Sequence, residues 1–300
     1  MSTTTSTESH IVYNKRPAWE TFRRSGWRHA VAAVIVVYAV FPLLYAFSAS
    51  VGDAGTLLGS NRLFATFSLE NFRELFSDPQ NPFLRWFANS LIVASTTAIG
   101  AVMMGAAAAY AFSRFRFKGR KTGLMSLLII QMFPQLLAFV AIFLLLATLS
   151  DIYPFLGLNS LLGLIMVYLG GALGANTFLM YGVFNTVPRE LDEAARMDGA
   201  THAQIYWTII LRLIKPILVV VGLLSFIAAF SDFLMARIIL QDPDRWTVAV
   251  GLYQFVSVEF GEKWGVFTAG AVVSALPVVL LFLFLQRFIV SGLTGGAVKG

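Results

Sequence analysis

The sequence predicts an all-α polytopic membrane protein with six transmembrane helices and a short helix between spans four and five that does not cross the bilayer. Three observations carry that prediction. Of the 300 residues, 57% are hydrophobic and 13% charged, with a mean hydropathy of +0.74. A soluble domain of this size has too little interior to hide so much apolar surface. Six apolar runs have about the length, roughly 20 residues, that a helix rising about 1.5 Å per residue needs to cross the hydrocarbon core. Lys and Arg are dense in alternate connections, as they are when those connections lie on the cytoplasmic side.

The runs cover about 30–47, 88–112, 122–149, 158–184, 216–240 and 266–290. They divide the chain into an N-terminal segment 1–29, a six-helix domain 30–290 with a long loop at about 185–215, and a tail 291–300. The repeated Ser and Thr from Ser2 to Thr7 predict disorder. Trp19, Phe22 and Trp27 interleave with Arg23, Arg24 and Arg28, which suits a short amphipathic helix on the inner leaflet. The first apolar run lacks a small-residue cleavage site after it and is expected to stay as an anchor.

Sixteen basic residues fall on one set of segments: Lys15, Arg16, Arg23, Arg24 and Arg28; Arg114, Arg116, Lys118, Arg120 and Lys121; Arg189, Arg196, Arg212 and Lys215; Arg287 and Lys299. The alternate connections hold five, namely Arg62, Arg73, Arg85, Arg245 and Lys263. Both termini are therefore expected in the cytoplasm, with the chain in the plasma membrane. Topology accounts for the net charge of +6, so nucleic acid is not an expected partner. With no cysteine in the chain there is no disulfide, thiolate nucleophile or Cys-based metal site. His10, His29 and His202 are scattered and no HExxH occurs, so neither a catalytic nor a metal site is expected.

The loop after the fourth span reads as two short helices. Pro188 suits a first helical position, Glu190, Asp192 and Glu193 complement the positive end of the helix dipole, and Gly199 can close the helix in a left-handed conformation. Thr201 and Gln204 form a capping-box pair for the next helix, in which Ala203, Tyr206, Trp207, Ile210 and Ile214 make one apolar stripe. Such a pair could simply cover the end of the bundle. Alternatively, Glu193, Arg196 and Asp198 among the small residues Ala194, Ala195, Gly199 and Ala200 form a knob that another protein can approach closely.

Glu193-Ala194-Ala195, three residues, Gly199, nine residues, then Ile209-Ile210-Leu211 resembles the EAA loop of ABC importer permeases, EAA-x3-G-x9-I-x-L-P. Two positions depart from it: Arg212 stands where proline is expected, with Pro216 later, and His202 stands where relatives often carry proline. Six spans, Ser274 to Pro277, Gln286-Arg287 and the ending Gly292 to Gly300 resemble the smaller permease subunit of maltose-type carbohydrate importers. The resemblance implies a coupling helix seated in a separate ATPase subunit, with Glu193, Ala194, Ala195, Asp198, Gly199, Ala200, Ile209 and Leu211 forming the coupling site. It also implies a second homologous permease, an ATPase dimer that binds ATP and Mg, and an extracytoplasmic sugar-binding protein. No GxxxxGK[ST] phosphate loop occurs in this chain, so no nucleotide cofactor is expected on it. The tail, with Lys299, is implied to reach the ATPase. Val256, Glu259, Phe260, Glu262 and Trp264 of the last external loop are implied to contact the binding protein, although aromatics there also suit an interfacial belt.

Polar residues inside the spans are open to two readings each. Gln131 and Gln135 flank Pro134 and either line a sugar path or hydrogen-bond between helices. Asn176 and Thr177 invite the same pair of readings, and Gly170-x3-Gly174 is a weak close-packing signal. Asp232 is expensive inside a bilayer unless it faces water or a partner, so it is either a gate residue or paired with Arg237. Two other functions compete with an importer subunit: an ion-coupled carrier, whose one candidate ion ligand is Asp232, and a non-transporting membrane scaffold.

Overall fold

A computed structural model describes residues 18–53, 62–257 and 263–297, and among them there is no β-strand. In chain order the helices are α1 (Ala18–Ser50), α2 (Glu70–Ser77), α3 (Phe83–Arg114), α4 (Arg120–Met132), α5 (Gln135–Ile152), α6 (Leu161–Phe184), α7 (Glu190–Met197), α8 (His202–Gln204), α9 (Leu211–Leu213), α10 (Lys215–Ser231), α11 (Leu234–Ile239), α12 (Val248–Ser257) and α13 (Trp264–Ala297). A π-helical stretch, Ile205–Ile210, joins α8 to α9.

Four of these helices, α1, α3, α6 and α13, are long and apolar enough to cross a membrane among the described residues; two bent pairs raise the number to six. One pair is α4 with α5, turned by 100°, and the other is the 202–213 segment with α10, turned by 80°. The sequence predicts the third span as one bent helix over 122–149. The break is sharper than that because Pro134 has no N–H to continue the helix and forces Phe133 into an extended conformation, φ −69° and ψ 130°. The fifth span, expected to run over 216–240, stops at Ser231. Asp232 adopts an extended backbone, φ −69° and ψ 126°, and α11 starts two residues later.

The bundle is organised around α3, which packs along α6 on one side and α10 on the other. Small residues allow this close approach: a Cβ added at Gly105 would sit 3.2 Å from that of Asn176. By contrast α1 lies against α13 and exposes Val34, Val37, Tyr38 and Leu43, as befits a helix surrounded by lipid. Gly174 of the predicted small-residue pair is buried against Gln131 of α4, whereas Gly170 has nothing near it.

Two apolar cores divide the bundle lengthwise. One, around Tyr110, Met180, Phe184, Ile205, Tyr206 and Ile210, lies beneath the loop between α6 and α10. The other, around Leu75, Phe83, Trp86, Ile239, Trp246 and Phe255, fills the opposite end. There Trp86 lies flat against Gly251 and donates its Nε1–H to the Pro243 carbonyl at 2.8 Å. Asn89 donates to the carbonyls of Asp244 and Trp246 at 3.1 and 3.0 Å, and Ser90 Oγ accepts from the Val248 amide at 2.7 Å. The start of α3 thereby holds the segment that leads into α12.

Candidate functional site: the loop between α6 and α10

The loop is built as its sequence dictates at both turns. Gly199 takes φ +84°, and the Ala200 amide reaches back to the Ala195 carbonyl at 2.9 Å, closing α7 with the hydrogen bond of a Schellman motif. Thr201 and Gln204 exchange the reciprocal bonds of a capping box: the Thr201 amide donates to Gln204 Oε1 at 2.8 Å and the Gln204 amide to Thr201 Oγ1 at 3.3 Å. The next turns depart from expectation in part. Ile205, Tyr206, Ile210 and Ile214 are buried, while Ala203 and Trp207 are exposed. Three of the five stripe positions, Tyr206, Ile210 and Ile214, are therefore buried as expected, and Ile205 takes the inward place expected of Trp207 within the π-helical stretch.

α7 has two unlike faces. Glu193, Ala194, Met197 and Asp198 are exposed, with Met197 at 89%. On the inner face Ala195 and Ala200 pack against the Tyr110 core, as does Leu211, and Ile209 is half-buried. Of the eight residues in α7, Asp192 alone is buried.

Asp192 meets Arg114, the last residue of α3, with Oδ2 and Nε 2.7 Å apart and the two side chains only 4% and 5% exposed. Arg114 also donates from Nη2 to the Val187 carbonyl at 3.0 Å. In return Arg189 donates to the Ser113 carbonyl at 3.1 Å, and Ser113 Oγ bonds Asn185 Oδ1 at 2.8 Å. Above this lattice Tyr110 packs on Tyr206 and Phe184, with ring centroids 5.1 and 6.1 Å away. The last turn of α3 is thus the seat of the whole loop. In the sequence Arg114 reads as one of many basic loop residues and Asp192 as a helix-start acid, and nothing local reveals that they are partners.

Two of the polar residues within the spans, Asp232 and Asn176, are engaged with neighbouring helices. Tyr168 of α6 donates to Asp232 Oδ2 at 2.7 Å, and the Ala236 amide donates to the same oxygen at 3.1 Å. Asp232 therefore ties α6 to the break between α10 and α11, and Arg237 instead lies 5.1 Å from the Trp246 ring. Asn176 donates to Ser225 of α10 at 3.1 Å. Gln131 is exposed on α4 apart from its contact with Gly174, and Gln135 is the first residue of α5. A cleft of about 440 Å³ between α3, α10 and α13 is lined by Ile99, Val102, Leu223, Phe226 and Pro277. Its walls are apolar apart from Ser95.

At the opposite end, Val256 is half-buried on α12 and Trp264 opens α13 with its ring 5.2 Å from Phe267. Glu259, Phe260 and Glu262 lie outside the described residues, as does Lys299. Lys263 is held by Glu74 at 2.6 Å and Asp78 at 3.8 Å. The hydrogen bond to Glu74 raises the Lys263 ammonium above its usual pKa. The side-chain hydrogen bond from Asn81 lowers the Asp78 carboxyl below its own.

Helices long and apolar enough to span a membrane, with a short non-spanning helix exposed in front and braced from behind, place the chain in the class of polytopic membrane proteins. The chain belongs to the family described as binding-protein-dependent transport system inner membrane component, whose pattern matches residues 101–295. It is a transport subunit of an ABC importer, not an enzyme, and a multi-pass membrane protein. It is 39% identical over 267 residues to the maltodextrin transport system permease protein MdxG of Bacillus subtilis, covering 89% of this chain and 93% of that one. The identity is also 39% over 282 residues to the maltose/maltodextrin transport system permease protein MalG of Escherichia coli K12, covering 91% and 95%. With the galactooligosaccharides transport system permease protein GanQ of Bacillus subtilis it is 38%, covering 90% and 93%. Among solved structures, a chain of a bacterial ABC transporter involved in the import of alginate superposes with a TM-score of 0.74 at 22% identity, covering 89% of this chain and 97% of that one. That likeness establishes the shared fold.

Proposed function

We propose that this subunit moves a maltodextrin-type oligosaccharide inward by ATP-driven alternating access, with α7 as the helix that docks in a cleft of a separate ATPase. The carrying observation is the two-faced α7: Glu193, Ala194, Met197 and Asp198 stand free, while Asp192 fixes the helix from behind. Glu193 then pairs with a basic ATPase residue, Gly199 makes the turn, and Ala194 permits close approach. Ala195, Ala200 and Leu211 support the helix from within, since they pack on this chain's own core, with the half-buried Ile209 beside them. ATP and Mg bind the ATPase dimer. Both termini and α7 lie in the cytoplasm, in accord with the basic residues around them.

The remaining partners follow from the same reading. A second homologous permease covers the exposed apolar faces of α4 and α5, including Ile129, Met132, Leu136 and Leu137. The sugar path forms between the two permeases, with Gln131, Gln135, Asn176 and Asp232 on this side of it. An extracytoplasmic binding protein delivers the sugar at the end where Val256 and Trp264 stand, through the loop with Glu259, Phe260 and Glu262. The tail with Lys299 reaches the ATPase. The oligosaccharide class is supported by relatives named for maltodextrin and galactooligosaccharides.

An ion-coupled carrier is less well supported, because its one candidate ligand, Asp232, already accepts from Tyr168 and Ala236. Uptake of labelled maltodextrin into cells tests the proposal. Glu193→Lys and Gly199→Pro should each abolish it with the protein still in the membrane. Uptake that persists in both, or that follows the ion gradient at constant ATP, would overturn the reading.

A further inference from the structure

We propose that α3 is a strut that carries movement of α7 to the α11–α12 segment at the opposite end of the bundle, and that the buried Arg114–Asp192 pair is its joint to α7. The inference rests on the reading of α7 as the ATPase-docking helix. It adds a route by which that docking is felt on the face that receives the binding protein.

The near joint follows from where α7 touches the rest of the chain. α7 touches the rest of the chain through Asp192, its one fully buried side chain, through the small Ala195 on the Tyr110 core, and through its two backbone links; of these, Asp192 alone makes a charged contact. Asp192 delivers a push on α7 to the terminal residue of α3. A buried ion pair is weak evidence for stability, since an apolar pair of equal volume often does as well or better; in this proposal its role is to fix one geometry. Here the cost is visible, because Asp192 Oδ1 is buried with no hydrogen-bond partner. The Arg114–Val187 and Arg189–Ser113 bonds cross beside the pair, so α7 cannot slide past the end of α3 without breaking charged donors.

The strut itself is one unbroken helix. α3 has 32 residues and no internal proline, whereas α4 and α5 part at Pro134 and α10 and α11 at Asp232. At about 1.5 Å per residue it is about 48 Å long. Its far joint is three hydrogen bonds: Asn89 donates to the carbonyls of Asp244 and Trp246, and Ser90 accepts from the Val248 amide. A displacement at Arg114 therefore reappears where α12 begins.

The test uses the complete importer complex reconstituted in vesicles, with its binding protein and maltodextrin as probe. The readout is the ratio of ATPase rate with and without loaded binding protein, together with sugar moved per ATP. Asp192→Asn breaks the near joint, and Ser90→Ala loosens the far one by removing the bond to the first residue of α12. Each should lower the stimulation ratio about fivefold or more, the lower end of ordinary coupling strengths. The double variant should be no worse than the more severe single, since two breaks in one strut are not independent. Asp192→Glu, which keeps the charge, should restore most of the ratio, and it carries the test together with Ser90→Ala if Asp192→Asn fails to assemble. A full ratio in the single variants, or losses that multiply in the double, would overturn the strut. Glu193→Lys separates the two ideas: a complex that still responds to binding protein with this substitution refutes the docking reading itself.

Discussion

Adding one methyl group at Gly251 should cost more than at any exposed glycine of the bundle, for a reason that can be worked through atom by atom. A Cβ built at Gly251 would overlap the Trp86 ring. Trp86 is completely buried and cannot swing aside, because its Nε1–H is bonded to Pro243 and its ring packs on Trp246 and Phe255, with centroids 5.9 and 6.3 Å away. Overpacking a tight core costs about 1–3 kcal/mol, and loss of a buried hydrogen bond adds about 1 kcal/mol. Gly251→Ala is therefore expected to destabilise the protein by roughly 2–4 kcal/mol. Gly182 of α6 is the control: a Cβ there meets nothing within 4 Å, so Gly182→Ala should stabilise by about 0.5–1 kcal/mol through helix propensity. Thermal unfolding of the purified protein in detergent, followed by tryptophan fluorescence, measures both. Equal midpoints for the two variants, or a lower one for Gly182→Ala, would refute the packing argument.

Four further outcomes follow from the same geometry. Gly199→Ala places a Cβ on a φ of +84° and should cost about 1–2 kcal/mol, seen as faster hydrogen exchange in residues 197–201 with the spans unaffected. Thr201→Ala removes the capping-box acceptor and should cost about 1 kcal/mol, measured by the same unfolding assay. Asp232→Leu strands the Tyr168 hydroxyl and the Ala236 amide at about 1–3 kcal/mol each, whereas Asp232→Asn keeps one acceptor and should be milder; the order of their unfolding midpoints checks this. Lys263→Met should leave the midpoint nearly unchanged, because the Lys263–Glu74 pair is solvent-exposed. The pH dependence of that tie has a definite sign. Lys263 is raised, so its contribution is complete below the ordinary lysine pKa and lost as pH rises through the raised value. Asp78 is lowered, so its part is complete above the ordinary carboxylate pKa and lost as pH falls through the lowered value. Proton titration of the two side chains by NMR should show a flat response across neutral pH.

What the sequence makes legible is what chemistry keeps local. The spans follow from hydropathy, Gly199 from the conformation that ends a helix, and the Thr201–Gln204 box from its three-residue spacing. Pro134 announces a bend, although not one of 100°. The break at Asp232 is hidden because apolar residues continue on both sides of it, and hydropathy records composition rather than direction. The stripe over Tyr206, Ile210 and Ile214 is legible, while the π-helical turn at Ile205–Ile210, which a 3.6-residue period cannot express, buries Ile205 and exposes Trp207. Least legible is the Arg114–Asp192 pair. Each residue has a sufficient local explanation, as a basic loop residue and as a helix-start acid, and the contact exists because α3 and α6 run side by side for most of their length.

The most direct test of the account asks what touches Met197. The chain has no cysteine, so Met197→Cys introduces a single thiol at the most exposed apolar side chain of α7, and Thr148→Cys places one on α5 as a control. Native membranes carrying each variant are treated with a short thiol-reactive photo-crosslinker, and the adducts are identified by mass spectrometry. The account predicts a Met197→Cys adduct with an ATPase subunit and no such adduct from Thr148→Cys. Cells that still import maltodextrin through the Met197→Cys protein, while its thiol captures no ATPase, would contradict it.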